Sequence, residues 1–202
     1  MVEELVRHGY CCVTFNFRGC GFSEGNIDMR GWFDDLEAVA ESIYEAPGID
    51  PEFIHCIAFS AGGSVASEYA SRKKLFRSLM LMATPNDFKE ILPDDPLLLR
   101  QHFRNIGIIR DDGFPSDIQY WYKGFLDMKA SRSIGFISPC PVMIVHGDRD
   151  ETVPPAHAQE IFASACVPKK LLMLEGATHQ LRKDPRTMQI INDWLKENTQ
   201  KP

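Results

Sequence analysis

Short apolar runs alternate with helical patterns along this chain, and that alternation constrains its fold more than any other feature. The strand-like runs are Cys11–Phe17, Phe53–Phe59, Ser78–Met82, Val142–Val145 and Leu171–Leu174. Continuous apolar strands are typical of a parallel sheet that is covered on both faces, and the intervening helices provide the cover. The sequence therefore predicts an α/β fold, with a mostly parallel sheet and helices on both of its faces.

The helical patterns have recognisable ends. Apolar residues recur at helical spacing over residues 32–43, and Pro47-Gly48 ends that pattern. Residues 158–165 and 188–195 repeat the spacing, and a short pattern at the start of the chain closes at Gly9. Each of these segments is predicted to be an amphipathic helix with its apolar stripe against the sheet.

Composition limits the class of protein. A chain of 202 residues, 44% of them hydrophobic and 25% charged, buries enough apolar surface to fold as one globular domain. The net charge is −6, and no basic cluster is longer than Arg72–Lys74, which argues against a nucleic-acid surface. No apolar run approaches the roughly 20 residues of a membrane-spanning helix. We therefore expect neither nucleic acid nor a membrane among its partners.

The cysteines and the N-terminus bear on location. The six cysteines show no CxxC spacing, so we expect reduced thiols rather than a zinc site or a disulfide framework. Residues 1–8 lack the basic start and unbroken apolar core of a secretory signal. Together these features predict a cytoplasmic protein, and they leave its oligomeric state open.

Residues 85–138 break the alternation. This stretch carries several Pro and Gly residues, an aromatic cluster and only weak helical periodicity. A loop of this length inside a compact domain usually has its own function or its own small fold. We interpret residues 85–138 as a cap inserted between the third and fourth predicted strands, within a single domain that covers residues 1–202.

The strongest local signal is a serine where a strand-like run ends and a helical stretch begins. The segment Ala58-Phe-Ser60-Ala-Gly62 fits the pattern small-x-Ser-x-Gly. The turn from strand to helix must be sharp, and bulk at either small flanking position would clash with it. Such a turn places the hydroxyl at a helix N-terminus, where the dipole favours developing negative charge. The alternative is an ordinary serine that caps the helix.

A serine nucleophile needs a base, and the base needs an orienting carboxylate. Among six histidines, His179 is the best placed, because only a short loop separates it from the last strand-like run; His146, at a strand end, is less well placed. Asp148 and Asp150 both follow the fourth run, although loop aspartates also form ordinary turns. Ser, Asp and His thus follow three different predicted strands, at the edge where open α/β sheets place their sites.

Four motifs, in order, resemble the α/β-hydrolase fold family. They are the segment Phe15–Gly25, the serine turn around Ser60, the segment His146–Pro154 and Gly176-Ala-Thr-His179. The resemblance covers nearly the whole chain. It implies a serine hydrolase that acts on a carboxylic ester or related acyl substrate through an acyl-enzyme, without a cofactor or metal.

The resemblance also implies residue roles. Ser60 would be the nucleophile, His179 the base and Asp150 the third member of a triad, while the Ala61 N–H would donate to the oxyanion. Asp150 is preferred to Asp148 because the family's acid falls three residues after the Gly and three before the Val-Pro.

The cap bears on the substrate. Its aromatic residues would either line an acyl pocket or form the cap's own core. The apolar content of the cap favours a small or medium acyl group, hence a carboxylesterase over a peptidase. Thioester, lactone and aminoacyl substrates remain open.

The chain departs from the family pattern at its start. Asn16 stands where Asp is usual, Ala58 replaces the first glycine of the serine turn, and the first three family strands are missing, together with the loop that supplies a second oxyanion donor. Since the third family strand lies between the fourth and fifth, we expect either a fragment of a longer protein or direct pairing of residues 11–17 with residues 53–59. The alternative function is therefore a truncated or catalytically inactive member of the fold with a binding role.

Two other site types are disfavoured. Gly19-Cys-Gly21 follows a strand-like run, but the third glycine of a dinucleotide-binding turn would fall at position 24 and here stands at position 25. His146, Asp148 and Asp150 alternate as metal ligands can, but no further ligand is placed to complete a site.

Overall fold

The computed structural model describes residues 1–199, in which four strands and eight helices are joined by turns and short 3-10 segments. The strands are β1 (His55–Phe59), β2 (Ser78–Met82), β3 (Val142–Gly147) and β4 (Lys169–Leu174). The helices are α1 (Val2–Arg7), α2 (Met29–Tyr44), α3 (Ala61–Lys73), α4 (Pro96–Asn105), α5 (Ile118–Asp127), α6 (Ala130–Ser133), α7 (Ala156–Ser164) and α8 (Thr187–Thr199).

The four strands form one sheet in the order β1-β2-β3-β4, and every neighbouring pair is parallel. Phe59 pairs with Met82, and Met82 pairs with Val145 one strand further on. Parallel pairing in this register brings the carboxyl ends of all four strands to one edge of the sheet. The prediction of a parallel α/β fold is confirmed.

Helices cover both faces of the sheet. Alternate residues of β2 point in opposite directions, as strand geometry requires. Leu79 and Leu81 pack in one core with residues of α2, α3 and α7, whereas Met80 and Met82 pack in a second core with residues of α1 and α8. All four side chains are fully buried. This burial explains why β2 reads as an unbroken apolar run rather than an alternating one.

The first predicted strand, Cys11–Phe17, is not a strand, and that prediction is wrong. Its backbone N–H groups make no hydrogen bond to another backbone segment of residues 1–199, so direct pairing with β1, one of the two alternatives that the sequence left open, does not occur. Val13 and Phe15 are 54% and 37% exposed. Apolar content favours a strand, but a ladder also requires a neighbouring backbone, and none of the described residues provides one here.

The segment predicted to be a cap, residues 85–138, contains α4, α5 and α6. Its aromatic residues Trp121, Tyr122 and Phe125 are buried in the larger core, Phe114 packs against that core, and Tyr120 is exposed. Phe125 lies edge-on to Trp121, with ring centroids 5.2 Å apart. Four of these five neighbouring aromatic side chains therefore contribute to core packing. That residues 85–138 cover the site remains a prediction.

Two further predictions bear on partners and location. None of the helices within residues 1–199 combines the length and apolar composition that crossing a bilayer requires. All six cysteines are free thiols. Burial raises the pKa of Cys56 to about 12, so this thiol behaves as a small apolar core group rather than as a nucleophile. A cytoplasmic location remains a prediction.

Candidate active site

Ser60 alone forms the turn between β1 and α3, since β1 ends at Phe59 and α3 begins at Ala61. Its φ is +51° and its ψ is −135°, a backbone conformation that non-glycine residues rarely adopt. The Ser60 N–H donates to the Met82 carbonyl over 2.8 Å, which ties the strained turn to the end of β2. The hydroxyl makes no capping hydrogen bond to α3, so the helix-cap interpretation does not hold.

Small residues after Ser60 allow close packing of the turn. A Cβ at Gly63 would overlap the Thr84 side chain, whereas a Cβ at Gly62 would meet only the Phe17 ring, at 3.3 Å. The sequence pattern predicted crowding at Ala58 and Gly62. The tightest approach instead lies at Gly63, one residue beyond the pattern, because the loop after β2 crosses α3 there.

His179 lies in the loop after β4 and contacts both other predicted site residues. Its Nε2 is 3.0 Å from the Ser60 Oγ, and its Nδ1 is 2.8 Å from the Asp150 Oδ2. A carboxylate can only accept, so Nδ1 carries the proton and Nε2 is left to accept from the serine hydroxyl. The side chain is 23% exposed, and so remains open to solvent.

Asp150 is held in place by its own loop. Its side chain is 0% exposed, and its Oδ1 accepts the N–H groups of Thr152 and Val153 over 2.9 and 2.8 Å. A buried carboxylate without partners would be very costly. Both oxygens here have donors, so Oδ2 is fixed towards His179 in a stable orientation.

Asp148, the other candidate acid, links the loop after β3 to the loop after β4. Its Oδ1 accepts the Gly176 N–H over 2.7 Å, and among the described residues its side chain makes no hydrogen bond to His179. The structure therefore brings Asp150, and not Asp148, to the histidine.

The loops that carry Asp150 and His179 pack directly on each other. The Asp148 N–H donates to the Leu174 carbonyl and the Arg149 N–H to the Ala177 carbonyl, over 3.1 and 3.0 Å. A Cβ at Gly147 would overlap the Ala177 carbonyl. Gly147 therefore permits the close approach that sets the distance between the acid and the base, a role that the sequence analysis did not assign.

Ala61, the predicted oxyanion donor, is the first residue of α3. The first N–H groups of a helix have no intrahelical acceptor, and the Ala61 N–H makes no hydrogen bond to another part of the described backbone. It lies at the positive end of the α3 dipole. This N–H is therefore free to bind an anion beside Ser60.

His146, which the sequence analysis ranked below His179, also contacts the acid. Its Nε2 lies 3.2 Å from the Asp150 Oδ2. The four-residue spacing from His146 to Asp150 is the only sequence signal that could have indicated this contact. No group of three or more His, Cys, Asp or Glu within residues 1–199 is arranged to hold a metal ion.

The chain is similar in sequence to several curated proteins. It is 29% identical to the lysophosphatidylserine lipase ABHD12 of Danio rerio, over 97% of this chain and 53% of that protein. It is 26% identical to the uncharacterized protein YfhR of Salmonella typhimurium, over 89% of this chain and 58% of that protein. The chain thus spans a little over half the length of these curated relatives.

Solved structures share the fold. The monoacylglycerol lipase of Paleococcus ferrophilus matches with a TM-score of 0.69 and 19% identity, over 98% of this chain and 87% of that one. The hydrolase GrgF of Penicillium matches with a TM-score of 0.74 and 20% identity, over 98% of this chain and 83% of that one. The family model described as the alpha/beta hydrolase fold matches residues 1–123. This chain belongs to the alpha/beta hydrolase fold family.

Proposed function

We propose that the protein is a serine hydrolase that cleaves a carboxylic ester or related acyl bond, with Ser60, His179 and Asp150 as its catalytic triad. One observation carries the proposal. A continuous line of hydrogen bonds runs from the Ser60 hydroxyl through His179 to the buried Asp150 carboxylate, with heavy-atom distances of 3.0 and 2.8 Å. These distances lie within the range that proton transfer between a nucleophile and its base requires.

In the first half of the reaction, His179 Nε2 takes the Ser60 proton as Oγ attacks the acyl carbonyl. The imidazolium that forms is stabilised by the Asp150 carboxylate, whose orientation is fixed by its bonds to Thr152 and Val153. The Ala61 N–H donates to the oxyanion. The alcohol then leaves with the proton that His179 holds, and the acyl group remains on Ser60.

In the second half, water attacks the acyl-enzyme. His179 again acts as the base and removes a proton from the water, and the oxyanion again accepts from Ala61. Collapse of this intermediate returns the proton to Ser60 Oγ and releases the carboxylic acid. No cofactor enters either half.

The substrate class is proposed from chemistry and relatives together. Two similar proteins are named as lipases, one for lysophosphatidylserine and one for monoacylglycerol. Both names denote esters of a fatty acyl chain. We therefore propose an acyl ester as the substrate, acted on in the cytoplasm.

The alternative is a catalytically inactive member of the fold with a binding role. One observation favours it: residues 11–17 make no ladder with β1, although β1 leads directly to Ser60. An activity measurement separates the two proposals.

The test is hydrolysis of p-nitrophenyl esters of increasing acyl length by the wild type, Ser60→Ala and Ser71→Ala. Ser71 lies on α3, which begins at the site, and among residues 1–199 its hydroxyl bonds only to the Glu68 carbonyl, so its loss should leave activity unchanged. We expect Ser60→Ala to lose about 10⁴-fold or more. A Ser60→Ala variant as active as the wild type would overturn the assignment of Ser60 as the nucleophile. A folded wild type without activity on any ester would favour the binding role.

A further inference from the structure

A second histidine contacts the carboxylate that orients His179. His146 lies in β3 and is 0% exposed. Its Nε2 is 2.9 Å from the Val153 carbonyl oxygen and 3.2 Å from the Asp150 Oδ2. Both oxygens belong to the loop after β3, the loop that carries the proposed triad acid, and the Val153 carbonyl accepts the Nε2–H.

The protonation of His146 follows from these partners. A backbone carbonyl can only accept, so Nε2 must carry a proton. Nδ1 is buried and has no partner among the described residues, so a second proton there would be an unsatisfied buried charge. Burial accordingly lowers the pKa of His146, and Asp150, His179 and His157 are the titratable groups that act on it. His146 is therefore neutral and acts as a donor only.

The turn from Asp150 to Val153 is held from two sides. The Val153 N–H donates to the Asp150 Oδ1, while the Val153 carbonyl accepts from His146. The Asp150 Oδ2 accepts from His179, and the His146 Nε2, whose proton goes to the Val153 carbonyl, lies 3.2 Å from it. A side chain on a central strand thus fixes the loop, and through the loop the carboxylate that it presents.

We infer that His146 is a positioning residue, which donates its Nε2–H to the Val153 carbonyl and so holds the loop that presents the Asp150 carboxylate to His179. This inference rests on the proposed function, because only a working triad makes the orientation of Asp150 matter for rate. A neutral donor suits this position. It fixes the loop beside Asp150 without adding a positive charge that would oppose the imidazolium of His179 during the reaction.

The test compares His146→Met with His146→Gln, which match in size and differ in one N–H group. The glutamine amide reaches the position of the imidazole Nε2–H, whereas the methionine sulfur and methyl cannot donate. The measurement is the rate at which a fluorophosphonate probe labels Ser60. We expect His146→Met to label about 3- to 10-fold more slowly, the effect of one hydrogen bond to a neutral carbonyl. We expect His146→Gln to recover most of the rate.

A role in packing alone predicts a different result, because methionine and glutamine would then label at similar rates once both are shown to be folded. Equal labelling of His146→Met and the wild type would overturn the inference and leave the triad standing. A folded wild type that takes no label on Ser60 would overturn the proposed function, and the inference with it.

Nuclear magnetic resonance of the wild type, with ¹⁵N-labelled histidine, tests the inference without any variant. We expect His146 to be the neutral Nε2–H tautomer at neutral pH. A proton on Nδ1 of His146 would contradict the proposed contact and overturn the inference, even if the methionine variant failed to fold.

Discussion

The carboxyl edge of the sheet and the segment of residues 11–17 differ in one respect that decides their structures. The strands that end at this edge and the segment of residues 11–17 are both apolar and strand-like in sequence. At the sheet edge, β3 and β4 pair along their whole length, and their loops bond directly through Arg149 and Ala177. Residues 11–17 have no such neighbour within the described part of the chain, and Val13 and Phe15 remain exposed. Apolar patterning thus shows where a strand can form, but hydrogen-bonding partners decide where one does form.

The largest effect should come from the carboxylates at the ordered edge. We expect Asp150→Asn to lower esterase activity about 10⁴-fold, since an amide can donate to His179 Nδ1 and favour the tautomer that cannot accept the Ser60 proton. We expect Asp148→Asn to cost only a few-fold, because Asp148 bonds to the Gly176 N–H and not to the histidine. Steady-state kinetics on one ester measures both. A larger loss of activity in Asp148→Asn than in Asp150→Asn would show that Asp148, and not Asp150, is the acid of the triad.

Amide hydrogen exchange compares the backbone protection of β3 with that of residues 11–15 directly. The N–H groups of β3 donate within a parallel ladder, so they should exchange about 10³-fold or more slowly than those of residues 11–15, which have no backbone acceptor among the described residues. Exchange followed by mass spectrometry of peptides from the two regions provides the measurement. Equal protection of the two regions would show that residues 11–17 do have a partner.

The close approach of the two loops should appear in stability. An alanine side chain at Gly147 would overlap the Ala177 carbonyl, so we expect Gly147→Ala to lower the free energy of unfolding by about 1–3 kcal/mol, the usual cost of overpacking. Gly113→Ala is the matched control, because a Cβ at Gly113 meets nothing within 4 Å. Urea unfolding of both variants tests this. Equal stabilities of Gly147→Ala and Gly113→Ala would mean that the packing of the loops after β3 and β4 does not require a glycine at position 147.

The smallest effect concerns His55, at the start of β1, the strand nearest in sequence to the unpaired segment. Burial and the nearby Arg77 lower the pKa of His55 from 6.5 to about 4. Between these values the unfolded chain binds more protons, so this contribution to stability is complete above pH 6.5 and is lost as the pH falls towards 4. After a discount for the partial exposure of the ring, the loss is about 1–2 kcal/mol.

Urea unfolding of the wild type and His55→Gln at pH 7 and pH 4.5 measures this loss. The glutamine variant should lose less stability between the two pH values than the wild type does. An identical loss in both proteins would show that His55 titrates normally in the folded protein.

The site could be predicted further than the sheet. Ser60, His179 and the two candidate aspartates each follow a strand, and parallel strands end at one edge, so chain order indicated that they would meet. The choice of Asp150 over Asp148 came from the family resemblance. The contacts that hold the site could not be predicted, because Gly147 and Ala177 belong to loops whose approach depends on the packing of β3 against β4.

The incorrectly predicted strand, Cys11–Phe17, also shows that long-range contacts cannot be predicted from local sequence. Local composition favoured it, but pairing is a long-range property, and nothing in the local pattern reveals whether a neighbour is present. Even β2, whose bounds Ser78–Met82 were predicted correctly, owes its order to β1 and β3 on either side.

Mapping a fluorophosphonate adduct by mass spectrometry tests the central claim most directly. The wild type and His179→Ala would be treated in parallel, with circular dichroism to show that both are folded. The account predicts an adduct on Ser60 in the wild type and little or none in His179→Ala, because the base 3.0 Å from the hydroxyl activates it. An adduct on another residue, or equal labelling of Ser60 in both proteins, would contradict the account.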